Sequence, residues 1–225
     1  MKQKKIVIII PVFNEQNAIL SVIKDVKSHG YKNILIIDDG SSDDTSTLLK
    51  SKRVSYLRHI INRGKGAAMK TGFEASKLLL ADIIVTMDGD GQHFAKDISK
   101  LIKKIELGND VALGHRSYKK GQMPLIRIIF NKFANLATWV VYGILVEDSQ
   151  SGFRAYSKNA LRQIDTQSDG YEFDSEIIRE IKRHKLVFAQ VSITTSYTRY
   201  STTKLKKQNI LNSAKMLYRM FASLS

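Results

Sequence analysis

Short apolar runs alternate with stretches in which apolar residues recur every three or four positions. The runs Ile6–Val12, Ile34–Asp38, Val54–His59, Ile83–Asp88 and Val111–Gly114 predict strands. Between them, helical spacing predicts Ala18–Lys27, with Ile19, Val22, Ile23 and Val26 on one face, then Asp44–Lys50 after SSDDT. It also predicts Ala67–Leu80, with Ala68, Thr71, Ala75 and Leu78 aligned, and Ile98–Leu107. Strands that are apolar throughout and separated by helices predict an α/β fold. Its sheet is Rossmann-like and mostly parallel, with helices on both faces.

Near residue 115 the alternation stops. Leu125–Val146 is apolar on most sides, although it contains Arg127, Lys132 and Trp139, and predicts one or two helices. Glu172–His184 is amphipathic, with Phe173, Ile177 and Ile181 on one face, and Val187–Ile193 reads as a late strand. Lys204–Leu224 predicts a terminal amphipathic helix: Ile210, Leu211, Ala214, Leu217, Tyr218 and Phe221 line one face, and Lys207, Lys215 and Arg219 the other.

A chain of 225 residues with 43% hydrophobic content suits one domain. Residues 1–115 would form a ligand-binding half and residues 116–225 a second, basic half. With two prolines, a disordered or fibrous class is excluded, and with no cysteine so are disulfides and thiolate metal sites. The apolar run of MKQKKIVIIIPVFNE is short for a secretory signal and ends in Pro11 and Asn14-Glu15, as a buried strand would. No stretch approaches the ~20 apolar residues of a spanning helix. The chain is therefore expected to be soluble or peripheral.

Net charge is +15, and from Ile181 to Ser225 there is no Asp or Glu at all. Such asymmetry points to an anionic partner or to a solvated lysine-rich face. A nucleic-acid-binding protein would explain the charge. It would not explain why the carboxylates gather at strand ends, where phosphates would be repelled.

Those strand ends carry the candidate chemistry, because ligands of parallel sheets bind outside the carboxyl ends of the strands. In DGDGQH, Asp88 and Asp90 could put two carboxylates on a divalent cation, with Gln92 adding an oxygen; an Asp-Gly turn is the alternative. In DDGSSDDT, Asp39 could accept hydrogen bonds from a nucleoside while Asp44 or Ser42 caps the next helix. In NRGKGAAMKTG, the glycines could admit a phosphate, with Lys65 as counter-charge, or simply ease a helix start. The spacing is not that of a Walker loop, which argues against an ordinary ATPase.

PVFNE, DDGSSDDT, NRGKGAA, MDGDGQH and DSQSGFRAY, in this order across nearly the whole chain, resemble the family-two glycosyltransferases of GT-A fold. The match is to the dolichyl-phosphate mannose synthase-like branch in its bacterial form. The resemblance implies that Pro11, Glu15 and Asp39 line a nucleoside pocket and that Lys65 and Arg116 meet donor phosphates. It implies Mg2+ or Mn2+ on Asp88, Asp90 and Gln92. It puts Ser151 and Arg154 beside the donor and acceptor, with Arg127, Tyr197 and Lys204 toward the acceptor. In YEFDSE, Glu172 or Asp174 could serve as a general base, or form an acidic first turn of a helix. YTRYSTTK departs from the RxxGxSK loop of the synthases proper, lacking its glycine.

The implied activity is transfer of a hexose from a UDP- or GDP-sugar to a polyprenyl phosphate. It would take place at the cytoplasmic face of a membrane, in cell-envelope biogenesis, with no nucleic acid involved. The alternative acceptor is a hydroxyl of a lipid-linked or cell-envelope glycan. The basic half, Leu125–Val146 and the terminal helix would meet an anionic membrane surface. Core packing, or a homo-oligomer interface, is the other use of those faces.

Overall fold

The computed structural model describes residues 4–52, 54–116 and 125–196. Strand β1 (Ile6–Val12) leads to helix α1 (Ile19–Ser28), β2 (Ile34–Asp38), α2 (Thr45–Ser51) and β3 (Ser55–Arg58). Next come α3 (Lys65–Leu78), β4 (Ile83–Thr86), a 3-10 turn (Ala95–Asp97), α4 (Ile98–Glu106) and β5 (Val111–Arg116). The second half holds α5 (Leu125–Tyr142), β6 (Arg154–Ser157), α6 (Lys158–Gln163), α7 (Phe173–Arg183) and β7 (Phe188–Ile193).

The seven strands form one sheet in the order β3-β2-β1-β4-β6-β5-β7. All pairings are parallel except those of β6, which lies antiparallel between β4 and β5. Successive β1 side chains face opposite sides, as strand geometry requires. Ile8, Ile10 and Val12 pack with α1 and α4, whereas Val7 and Ile9 pack with α3 and α7. Burying each of these isoleucines contributes roughly 1.5–3 kcal/mol. Helices therefore cover both faces, as the sequence predicts.

Strand order reverses at β1, whose neighbours are β2 and β4. Pairing of β1 with β4 ends at Ile9 and Thr86, while pairing with β2 runs on to Val12 and Asp38. Pro11, which has no N–H to give, lies in the stretch bonded only to β2. Beyond Ile9 the two central strands diverge, and the motif loops surround this opening.

Two elements differ from expectation. SGFRAYS is not only a loop, because Arg154–Ser157 forms β6 and Ser157 caps α6 by accepting a bond from Ala160 N at 3.0 Å. The Leu125–Val146 segment is one helix that stops at Tyr142, with Gly143 in the left-handed region (φ 67°). On α5, Ala134 and Thr138 are buried while Phe133, Leu136, Trp139 and Val140 are exposed. Among the described residues, no helix is long and apolar enough to cross a membrane. The expected helix over Lys204–Leu224 lies outside the described residues.

Candidate active site

The loops after β1 and β2 hold each other. Asn14, in the left-handed region (φ 55°), accepts bonds from Ser42 N and Asp43 N at 2.8 and 3.3 Å. Glu15 N donates to Thr45 Oγ1 at 2.9 Å, and the Glu15 side chain is buried. Asp43, not Asp44 or Ser42, caps α2: its carboxylate accepts from Thr45 N at 3.0 Å and from Gln16 N at 3.2 Å. Asp44 occupies the cap position but makes no capping bond.

Asp38 and Asp39 both turn toward protein. Asp38 accepts from Ser41 N at 2.9 Å and faces Arg58 Nε at 3.4 Å. Asp39 accepts from Arg63 N at 3.0 Å, Gly64 N at 2.7 Å and His59 Nδ1 at 2.7 Å. It thereby ties the end of β2 to β3 and to the start of α3. The sequence reading had this carboxylate facing a ligand. The structure gives its oxygens protein partners, because the turn into α3 needs an acceptor for its first N–H groups.

The glycines of NRGKGAA start a helix, the second of the two readings of this motif: Gly64, at φ 107°, is the N-cap of α3. A Cβ on Gly66 would overlap Ser168 O and lie 2.9 Å from Asp169 C, and Ala67 N donates to Asp169 O at 3.2 Å. Protein backbone comes close to this turn at Gly66 and Ala67. What the turn presents is the Lys65 side chain.

Lys65 Nζ lies 3.0 Å from Asp88 Oδ1 and 2.8 Å from Asp174 Oδ2. Burial acts against the Lys65 charge, but Asp174 and Asp88 outweigh it and raise its pKa above the ordinary value. Burial likewise acts against the Asp88 carboxylate, yet Lys65, helped by His93 and Arg116, holds its pKa at about 2. The site is thus permanently charged. Gly152 closes over it: a Cβ there would stand 2.6 Å from Lys65 Nζ and 2.7 Å from Asp88 Oδ1.

Asp90 accepts from Gln92 N at 3.0 Å and from the Gln92 side-chain amide. Gln92, expected to offer an oxygen to a metal, gives its NH2 to Asp90 and positions that carboxylate. No group of three or more His, Cys, Asp or Glu suited to a metal occurs among the described residues. Asp88 and Asp90 nonetheless fit a magnesium-like ion. Both are partly exposed hard oxygen donors one residue apart. Such ions take one or two carboxylates and complete their shell with phosphate and water.

Arg116 grips Asp148 in bidentate fashion, Nε to Oδ2 at 2.6 Å and Nη2 to Oδ1 at 2.9 Å. Burial would raise the Asp148 pKa, but Arg116 and backbone N–H bonds lower it. Arg154 is buried and donates to the carbonyls of Ser151, Asp174 and Ser149 at 2.8, 2.9 and 2.9 Å. It was expected at the acceptor. These bonds instead go to backbone carbonyls and hold the Gly152 loop to the start of α7. Ser151 is buried in the same frame.

The sequence pattern described as Glycosyl transferase family 2 matches residues 7–165. The chain belongs to this family. An uncharacterized protein of Methanocaldococcus jannaschii is 40% identical, the match covering 98% of this chain and 92% of that one. The UDP-N-acetylglucosamine–dolichyl-phosphate N-acetylglucosaminyltransferase of Methanococcus voltae is 35% identical, covering 98% of this chain and 96% of its own. A solved structure of glucosyl-3-phosphoglycerate synthase from Mycobacterium tuberculosis, in complex with Mn2+, UDP and phosphoglyceric acid, superposes with TM-score 0.72 at 18% identity. It covers 95% of this chain and 78% of that one. The fold is that of the GT-A glycosyltransferases.

In this family 2 glycosyltransferase, Lys65, Asp88 and Asp174 meet directly, and Asp90 stands one residue from Asp88. Glu172 occupies the N-cap position of α7 without a capping bond, two residues from Asp174. The sequence reading missed three contributors. Tyr171 has a pKa raised by burial and, within the same field, by Asp88, Asp174 and Glu15 against Lys65. His93 stacks on Phe153 with ring centroids 5.0 Å apart, and burial lowers its pKa despite Asp88 and Asp90. Asp148 was legible only as a letter in DSQSGFRAY. The Arg127 side chain, Tyr197 and Lys204 lie outside the described residues.

Proposed function

We propose that this glycosyltransferase moves a hexose from a UDP- or GDP-sugar to a polyprenyl phosphate at the cytoplasmic face of a membrane, with Mg2+ or Mn2+. The observation that carries this reading is the engagement of Asp174 by Lys65 at 2.8 Å. A hydroxyl acceptor needs a base to take its proton. Asp174, the carboxylate nearest the cluster on α7, already has an ammonium on one oxygen. An acceptor phosphate arrives ionised and needs no base. The 35% identical relative named for transfer to dolichyl phosphate supports the same choice.

In the proposed reaction, an acceptor phosphate oxygen attacks the anomeric carbon while the bond from that carbon to the diphosphate breaks. Asp88 and Asp90 would hold the metal, which when bound offsets the charge growing on the nucleotide diphosphate. Lys65 and Arg116 would add positive charge for the donor phosphates from their places against Asp88 and Asp148. Pro11 and Glu15 are assigned to the nucleoside end of the opening where β1 and β4 diverge, and Asp39, held by Arg63 N, Gly64 N and His59, shapes its wall. The acceptor phosphate is assigned to Arg127, Tyr197 and Lys204, and the exposed apolar residues of α5 to the membrane surface.

The test supplies labelled UDP- and GDP-sugars with Mn2+ or Mg2+ and polyprenyl phosphate in detergent, and counts label entering the lipid phase. Asp88→Asn and Asp90→Asn should each cost about 10²–10³-fold, the scale for losing a transition-state charge partner. Label that reaches glycan hydroxyls but never the lipid phosphate would refute the acceptor assignment.

A further inference from the structure

Three charged groups meet under Gly152. The Lys65 ammonium stands between Asp88 at 3.0 Å and Asp174 at 2.8 Å, with its side chain 15% exposed. Asp88 comes from the end of β4 and Asp174 from the first turn of α7, so Lys65 bridges two walls of the site. Gly152 limits the ammonium from a third side, since even a methyl group there would lie 2.6 Å from Nζ.

A divalent cation on Asp88 would share that carboxylate with an ammonium only 3.0 Å away. Like charges at such a separation repel strongly in a partly buried site. The lysine stem is flexible, however, and its second carboxylate is already in contact. We propose that Lys65 is a built-in counter-cation for Asp88, which a metal can displace only as the ammonium moves onto Asp174 and the diphosphate of an arriving nucleotide. Metal binding is thereby made conditional on nucleotide, and by reciprocity nucleotide binding becomes tighter with metal. Asp174 is a positioning residue in this scheme, the resting place of the lysine.

This inference rests on the reading of Asp88 as a metal carboxylate, and the test separates the two. Mn2+ is titrated into the full-length protein without nucleotide, and free Mn2+ is followed by its electron paramagnetic resonance signal. The series is then repeated with saturating UDP. Lys65→Met should tighten Mn2+ binding without UDP by about five-fold or more, the lower end of ordinary coupling between sites. Asp174→Asn should weaken it, because Lys65 then has only Asp88.

In the Lys65→Met background, Asp174→Asn should have far less effect than in the native background. A double-mutant cycle isolates that difference from plain loss of negative charge. Circular dichroism confirms that each variant is folded. If Lys65→Met does not fold, Lys65→Gln takes its place in the same cycle. Equal effects of Asp174→Asn in both backgrounds, or Mn2+ affinity unchanged by Lys65→Met or by Asp174→Asn, would overturn the inference and leave the metal reading standing. If Asp88→Asn binds Mn2+ with UDP as well as the native protein does, the metal reading falls, and this inference with it.

Discussion

Lys65 Nζ donates to Asp174 Oδ2 at 2.8 Å across a separation of 109 residues, joining the first turn of α3 to the first turn of α7. That bond sets a cation from the first half of the chain against a carboxylate from the second. The surrounding backbone is held by Asp39 and Arg154, whose bonds go to protein groups, and this shapes the expected behaviour of variants.

Gly152→Ala should reduce activity with little loss of stability. The added methyl would press on Lys65 Nζ and Asp88 Oδ1, which are the ends of side chains and can shift. Overpacking here should cost about 1 kcal/mol, the low end for added core atoms. Donor binding by calorimetry should weaken while the thermal midpoint moves by only a few degrees. A variant with native donor affinity would show that the Gly152 loop does not adjoin the donor.

Arg154→Met should behave as a folding defect. Removing the guanidinium leaves the carbonyls of Ser149, Ser151 and Asp174 without their donor in a buried place. Each unpaired buried acceptor costs about 1–3 kcal/mol, so the thermal midpoint should fall steeply. A stable variant with weak acceptor binding would instead return Arg154 to the acceptor.

Acid should weaken the fold through Asp88 and Asp148. Both carboxyls have folded pKa values below the ordinary 3.8, Asp88 at about 2. As pH falls below about 4, the unfolded chain takes up protons that the folded chain refuses. The stability these groups contribute is therefore complete above that pH and is lost as pH falls toward about 2. Urea unfolding across this range should show a shallower acid loss in Asp148→Asn than in the native protein. Equal slopes would mean that Asp148 gains nothing from Arg116.

Trp139 is half exposed on α5 beside exposed Leu136 and Val140, and it is the only tryptophan. Its emission should shift to the blue on adding anionic liposomes, and high salt should reverse the binding by screening basic residues from lipid headgroups. Emission and sedimentation that ignore liposomes at low salt would exclude this face from the membrane.

Much of the first half of the chain could be read from periodicity, because its central strands are buried on both sides and its helices bury one stripe each. Ile19, Val22, Ile23 and Val26 show the stripe in sequence and all are buried on α1. Strand β6 escaped for a physical reason. It is four residues long, begins with arginine and is paired antiparallel between strands distant in sequence, so nothing local marks it. The capping of α2 went to Asp43 over its neighbours because Gln16 N and Thr45 N lie on its side, a matter of loop approach.

The sequence by itself determined the α/β alternation, the family and the set of motifs that would stand at strand ends, since these depend on residue type and order. Which member of each motif is taken up by protein partners was decided only in three dimensions. Asp39 and Asp88 follow apolar runs of similar kind, yet Asp39 is surrounded by the N–H groups of Arg63 and Gly64 and by His59. Asp88 remains partly exposed beside Lys65. Arg154 and Lys65 are both basic residues within two positions of a glycine, but one is buried among carbonyls and the other faces two carboxylates. Charge and hydrogen-bonding capacity are written in the residue. The partner that engages them is set by approach in space: Asp39 is held by groups 20 to 25 positions on, and Lys65 meets Asp174 across 109 positions.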